Sequence, residues 1–104
     1  MRPDGAPRHL GASLSRVRAI PLGRYPTPIR RCSPQLWVKD DGATATLYGG
    51  NKVRKLEYLL AAARARGARR IVTVGAGGSH HVLATTLYAR TIGIATAAVL
   101  FPQP

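Results

Sequence analysis

The feature that most constrains this fold is an alternation of short apolar segments with segments of helical periodicity. The apolar segments are rich in β-branched residues and have the length of strands. Between them, apolar residues spaced by three and four positions predict two helices, which should end near Gly67 and Gly93. Such an order is typical of parallel strands joined by helical crossovers. The predicted elements are a strand at 35–41, a helix at 51–65, a strand at 69–75, a helix at 80–91 and a strand at 94–101. The sequence therefore predicts an α/β fold with a partial open parallel sheet and flanking helices.

The segments before this alternation have no such periodicity. Residues 1–19 are polar and contain proline, glycine and arginine, which predicts a flexible lead-in. "IPLGRYPTPIRRCSP" has four prolines between Pro21 and Pro34, which predicts an extended, irregular segment. We expect residues 20–104 to form one unit. Because the last predicted strand would leave a sheet edge that proteins normally cover, we expect that unit to be part of a larger domain.

Composition limits the classes of partner. Of the 104 residues 45% are hydrophobic, so the chain can form a core. The net charge is +12, but 13 of the 16 cations are arginines scattered along the chain, with no basic run among aromatics. We therefore expect no nucleic-acid partner. No apolar stretch approaches the length of a membrane span, and the single cysteine, Cys32, favours a reducing compartment. These features predict a cytoplasmic protein without a membrane partner.

The stretch "YGGNKVRKLEYLL" (48–60) places three cations, Lys52, Arg54 and Lys55, in the first turn of a predicted helix. The helix dipole disfavours cations there, and Asn51 is suited to be the N-cap. A lysine amine in this setting is favoured in its neutral, nucleophilic form, which a Schiff base requires. The other cations would suit a bound phosphate. The alternative is a solvated surface cluster, which is common for charges on helices.

A second glycine-led helix start, "AGGSHH" (76–81), follows the strand at 69–75. Open α/β sheets bind ligands at the carboxyl ends of their strands. The two glycine-led starts would therefore meet if the strand at 35–41 joined the same sheet. Considered by its residue type and position, Ser79 is predicted to be the N-cap of the second helix. Adjacent His80 and His81 point apart on a helix and have no evident third partner, so we expect no metal site.

The segment "GGNKVRKLEYLL" resembles the lysine segment of fold-type II pyridoxal-phosphate enzymes of the 1-aminocyclopropane-1-carboxylate deaminase/D-cysteine desulfhydrase family, which are tryptophan synthase beta-like. "YPTPI", "LWVKDD" and "GARRIVTVG" resemble that family in the same order and spacing, so the resemblance covers about 16–101. It implies that Lys52 holds pyridoxal 5'-phosphate covalently as a Schiff base. It also implies that Lys55 contacts the cofactor phosphate and that Asn51 shapes the pocket.

Where this family has a loop reading "QSN", often followed by histidine, the chain reads "GSHH". The resemblance implies that Ser79 lies near the reacting substrate carbon and that His81 lies on the substrate side. His80 replaces an asparagine that hydrogen-bonds the cofactor's ring hydroxyl. An imidazole can also donate such a bond, although its titration near neutral pH should make the contact depend on pH. Gly78 removes a further polar group, so the resemblance leaves the reaction open.

For the whole chain, the resemblance implies the N-terminal fragment of a lyase or deaminase that acts on a small amino acid. Lys52 is the first candidate for the base that removes the α-proton, and Ser79 is the second. The family's later phosphate loop and the residue facing the pyridine nitrogen have no counterpart here, so we expect the chain to be inactive alone. The complete enzyme is expected to be a homodimer. The rival hypothesis is a non-catalytic remnant or a basic interaction module.

Overall fold

The computed structural model of the chain describes residues 16–104. Its regular elements are β1 (Ile29–Ser33), β2 (Leu36–Lys39), a 3₁₀ helix (Asp41–Thr44), α1 (Lys52–Ala65), β3 (Arg70–Ala76), α2 (His80–Thr91) and β4 (Ala95–Phe101). The predicted lead-in lies mostly outside the described residues; residues 16–19 are exposed, and Ile20 is buried. Within 16–104, no helix is both long enough and apolar enough to cross a membrane.

β3 and β4 form a two-stranded parallel sheet. Their register runs from the pair Arg70 and Ala95 to the pair Ala76 and Phe101. Helix α2 connects these strands and packs on both of them, and it also packs on α1. The predicted α/β fold with a partial parallel sheet and flanking helices is therefore confirmed.

β1 and β2 form a separate antiparallel hairpin. Ile29 pairs with Lys39 and Arg30 with Val38, so β2 does not join the parallel sheet. The prediction of an irregular segment is thus wrong for Ile29–Ser33. Pairing with a neighbour only a few residues along the chain closes a very short loop, which costs less conformational entropy than reaching the distant sheet.

The ends of the helices depend on glycine. Gly67 and Gly93 have φ angles of 70° and 75°, which confirms them as the points where α1 and α2 stop. Asn51 occupies the predicted N-cap position of α1, but its backbone is helical (φ −69°, ψ −17°) and its side chain makes no capping hydrogen bond. The turn before α1 is instead shaped by Gly50, whose φ angle is 120°.

The hydrophobic core lies around α1, α2 and the segments that precede β1 and β4. Val53, Leu56 and Leu60 are at most 1% exposed, which confirms the apolar stripe expected of α1. The core cluster consists of Ile20, Val53, Leu56, Leu60, Ala61, Ala84, Tyr88, Ala89 and Ile94. This core fixes the two helices against each other and thereby positions their N-termini.

Candidate functional site

The two glycine-led helix starts lie next to each other. The hydroxyl of Tyr48, just before Gly49 and Gly50, is hydrogen-bonded to Nδ1 of His80, the first residue of α2. The two ring centroids are 6.1 Å apart. The two glycine-led helix starts therefore meet at this end of the parallel sheet, although β2 belongs to the other sheet.

The first glycine turn is tightly built against the 3₁₀ helix. The Gly50 N–H donates to the carbonyl oxygen of Asp41 (2.8 Å) and to Oγ1 of buried Thr44 (3.0 Å). A Cβ atom added to Gly49 would lie 2.0 Å from the carbonyl oxygen of Gly42. Only glycine fits at this approach, so the sequence and the packing together fix where α1 begins.

Lys52 is the first residue of α1 and is half-buried, whereas Lys55 and Asn51 are exposed. No acidic residue lies in the first turn. Within the described residues, this turn therefore presents the positive end of the helix dipole together with two ammonium groups. This arrangement suits an anion rather than a cation.

Arg54 does not belong to that cation set, contrary to the expectation from sequence. Its guanidinium donates two hydrogen bonds of 2.8 Å to Asp41 and lies over the Tyr25 ring, 4.6 Å from the centroid. Hydrogen bonds from Arg54 and then from Thr27 hold the pKa of Asp41 well below its usual range. Arg54 thus ties α1 to the 3₁₀ helix that precedes it.

Ser79 caps α2, as its residue type predicts: its Oγ accepts a 3.2 Å hydrogen bond from the Val82 N–H. The hydroxyl lies over the end of β3, since a Cβ on Gly75 would be 2.8 Å from it. The N–H of Gly77 donates to the carbonyl oxygen of Phe101 (3.1 Å), which ties this loop to the end of β4. Ser79 is therefore held at the carboxyl end of the sheet.

His81 lies within electrostatic reach of the lysine-bearing helix. Burial lowers its pKa, and the charges of Lys55 and Lys52 lower it further, so the neutral imidazole is favoured. Its Nδ1 atom is buried and has no hydrogen-bond partner among the described residues. The side chain lines a cavity of about 180 Å³ that it shares with Thr73 and Thr85.

These groups fit a phosphate-bearing aldehyde. Lys52 offers an amine, Lys55 offers a second cation, and neither helix has an acidic residue in its first turn. The second glycine turn leaves room: a Cβ on Gly77 would meet nothing within 4 Å, and one on Gly78 only Oε1 of Gln103, at 3.8 Å. The described residues hold no cluster of three side chains suited to a metal ion.

Sequence reasoning missed the two tyrosines that hold the site together. The hydroxyl of Tyr88 donates a 2.6 Å hydrogen bond to the backbone oxygen of Tyr48, 40 residues away. Helical periodicity marks Tyr88 only as a position on α2, and no local pattern pairs it with Tyr48. Their contact could not have been found without the tertiary structure.

Comparisons with known proteins give relatives but no matching family model. The chain is 41% identical over 88 residues to nocardicin C-9' epimerase of Nocardia uniformis subsp. tsuyamanensis, covering 81% of this chain and 27% of that protein. It is 38% identical over 96 residues to a putative 1-aminocyclopropane-1-carboxylate deaminase of Pyrococcus abyssi, and the match covers 86% of this chain and 29% of that protein. It is 37% identical over 94 residues to D-cysteine desulfhydrase of Salmonella paratyphi B, and the match covers 84% of this chain and 29% of that protein.

A solved structure of an ACC deaminase homologue has the same fold over most of this chain. The TM-score is 0.80 at 35% identity, covering 91% of this chain and 31% of the other. The chain thus spans less than a third of the length of these relatives.

Proposed function

We propose, on the premise that this chain belongs to the 1-aminocyclopropane-1-carboxylate deaminase/D-cysteine desulfhydrase family of fold-type II pyridoxal-phosphate enzymes, that it carries the lysine that binds the cofactor. One observation carries the proposal: Lys52 begins a helix directly after a glycine turn, and Tyr48 joins that turn to the Gly-Ser-His loop. This brings an amine, cations and amide donors to one place.

The roles of the residues follow from their positions. Lys52 would hold pyridoxal 5'-phosphate covalently, Lys55 would bind its phosphate, and Asn51 would border the pocket. When bound, the cofactor supplies an electron sink for charge that develops on a substrate. His80 would donate a hydrogen bond to an oxygen of the cofactor. The neutral state favoured for His81 suits a group that lies beside a substrate amine without repelling it.

The reaction proposed is deamination or desulfhydration of a small amino acid. Lys52 is the first candidate to take the α-proton, and Ser79 is the second. The Ser79 hydroxyl accepts the hydrogen bond from the Val82 N–H with one lone pair, which leaves its second lone pair to accept a proton. The complete enzyme is proposed to be a cytoplasmic homodimer.

Epimerisation of an amino acid is the second candidate, favoured by the 41% identity to nocardicin C-9' epimerase. Desulfhydration of D-cysteine and epimerisation both begin with removal of the α-proton, so the same lysine would serve either. The α-carbon of 1-aminocyclopropane-1-carboxylate carries no proton, so its deamination would need a base at a ring CH2 instead. Desulfhydration and epimerisation differ in whether a group leaves or a proton returns. Incubation of the complete enzyme in deuterated water separates them, because epimerisation alone returns an amino acid that has inverted configuration and carries deuterium at Cα.

The lysine assignment is tested by borohydride trapping. The chain is incubated with pyridoxal 5'-phosphate, reduced and digested, and the labelled peptide is mapped. We expect the label on Lys52 and its loss in Lys52→Ala. Lys39→Ala is the matched control, because the Lys39 amine already donates to the backbone oxygen of Thr27 (2.9 Å). Lys55→Ala should keep the label and weaken cofactor binding about ten- to a hundredfold, because one hydrogen bond to a charged group contributes about 1.5–3 kcal/mol.

A label on Lys39 or Lys55, or one that persists in Lys52→Ala, would refute the assignment. No label on any lysine would favour the rival hypothesis of a non-catalytic remnant or a basic interaction module. The chain by itself is expected not to turn over D-cysteine or 1-aminocyclopropane-1-carboxylate, since it spans under a third of its relatives. Keto-acid formation that disappears in Lys52→Ala would overturn that expectation.

A further inference from the structure

We propose that Tyr48 is a positioning residue that biases the tautomer of His80 toward the form in which Nε2 of the imidazole carries the proton. The proposal concerns a hydrogen bond within the chain. Only the use of the resulting N–H donor rests on the proposed function.

Tyr48 is itself held in place from both sides. Its backbone oxygen accepts the 2.6 Å hydrogen bond from Tyr88, a side chain that is only 2% exposed. The next residue, Gly49, approaches the backbone of Gly42 too closely for any side chain. The backbone that carries the Tyr48 ring is therefore held by packing and hydrogen bonding where the ring contacts His80.

The chemistry of the pair selects one tautomer. A neutral imidazole has one N–H donor and one bare nitrogen acceptor, and the partner of one nitrogen decides the state of the other. A phenol donates a hydrogen bond more readily than it accepts one, because its lone pairs delocalise into the ring. The Tyr48 hydroxyl thus donates to Nδ1 of His80, which leaves the proton on Nε2.

The arrangement also survives protonation of the imidazole. When His80 takes up a second proton, Nδ1 becomes a donor and the phenol oxygen accepts from it. Nε2 is an N–H donor in both states. In the proposed function, His80 would therefore offer an Nε2–H donor, like an amide N–H, in both protonation states of the imidazole. Only the net charge of the imidazole would differ between the two states.

The tautomer is measured by ¹⁵N NMR of the ligand-free chain with labelled histidine. The chain has three histidines, and loss of a signal in His80→Asn assigns His80. In the neutral imidazole of His80, we expect Nδ1 to appear as the unprotonated nitrogen. A protonated Nδ1 would overturn the proposal. This measurement is made on the wild-type chain, so its outcome does not depend on whether a Tyr48 variant folds.

Tyr48→Phe should shift the tautomer ratio of His80 by about two- to tenfold toward Nδ1–H, the equivalent of one net hydrogen bond. Tyr58→Phe is the matched control, because Tyr58 is 47% exposed on α1, and it should leave the ratio unchanged. An unchanged ratio in a folded Tyr48→Phe chain would refute the proposal. Amide spectra establish that each variant is folded.

A double-mutant cycle on pyridoxal 5'-phosphate affinity tests whether Tyr48 acts through His80. Tyr48→Phe should weaken binding about threefold in the wild-type background, and it should have no effect when His80→Asn is present. Additive losses would overturn the proposal. If the wild-type chain does not bind the cofactor, the proposed function fails, while the ligand-free NMR result still decides the tautomer.

Discussion

Replacing Gly49 with alanine is expected to destabilise the chain because the new methyl group would collide with backbone. The added Cβ would lie 2.0 Å from the carbonyl oxygen of Gly42 and 2.9 Å from its carbonyl carbon. Neither partner is a side chain, so no rotamer change can relieve the contact. The two backbone segments must move apart.

The size of the effect follows from this geometry. Ordinary contact begins at 3.4 Å, so the oxygen must retreat by about 1.4 Å from its 2.0 Å approach. Overpacking of this kind costs about 1–3 kcal/mol. The same movement would stretch the hydrogen bonds from the Gly50 N–H to Asp41 and Thr44, which contribute about 1 kcal/mol each. We expect a loss of about 3 kcal/mol in the free energy of unfolding.

Urea unfolding followed by circular dichroism measures this loss. Gly77→Ala is the control, because its Cβ would meet nothing within 4 Å and Gly77 does not have a positive φ angle. The control should change the free energy of unfolding by less than about 0.5 kcal/mol. Equal midpoints and slopes for Gly49→Ala and Gly77→Ala would show that the packing argument for Gly49 is wrong.

Two further predictions concern α1 and its ion pair. Leu56→Ala should lower the free energy of unfolding by about 2–5 kcal/mol in urea, because Leu56 is 1% exposed. Leu59→Ala on the same helix, 54% exposed, should cost far less, and equal losses would contradict the assigned core. The pKa of Asp41 is lowered from 3.8 by Arg54 and then Thr27, so the unfolded chain binds more protons than the folded chain as the pH falls. Wild type should therefore exceed Asp41→Asn in stability above pH 3.8, and this advantage should shrink as the pH falls below that value. A difference that is constant across acid titrations would refute the role given to the carboxylate.

The sequence by itself determined the parallel half of the fold. Helix α2 (His80–Thr91) has the predicted bounds, and β3 and β4 lie within one residue of theirs. The reason is local: apolar periodicity and glycine stops act over a few residues, and the buried faces of these elements satisfy the same pattern. The strand at Ile29–Ser33 was missed because prolines around it argue locally against regular structure.

The candidate site was only partly predictable. The sequence placed Lys52 at a helix start and Ser79 at an N-cap, because both positions follow from residues next to them. Their roles toward a cofactor remain predictions. The interpretation of Arg54 as an anion-binding cation was wrong, since its partner Asp41 lies 13 residues earlier and no local rule pairs them.

Only the tertiary structure decided that the two glycine-led helix starts meet. Tyr48 and His80 are 32 residues apart, and Tyr48 and Tyr88 are 40 residues apart. Such pairs form because the buried core of α1 and α2 brings their N-termini together. The apolar periodicity of one helix carries no information about the position of the other. The sequence therefore determined which chemical groups stand at each helix start, while long-range packing decided that they form one site.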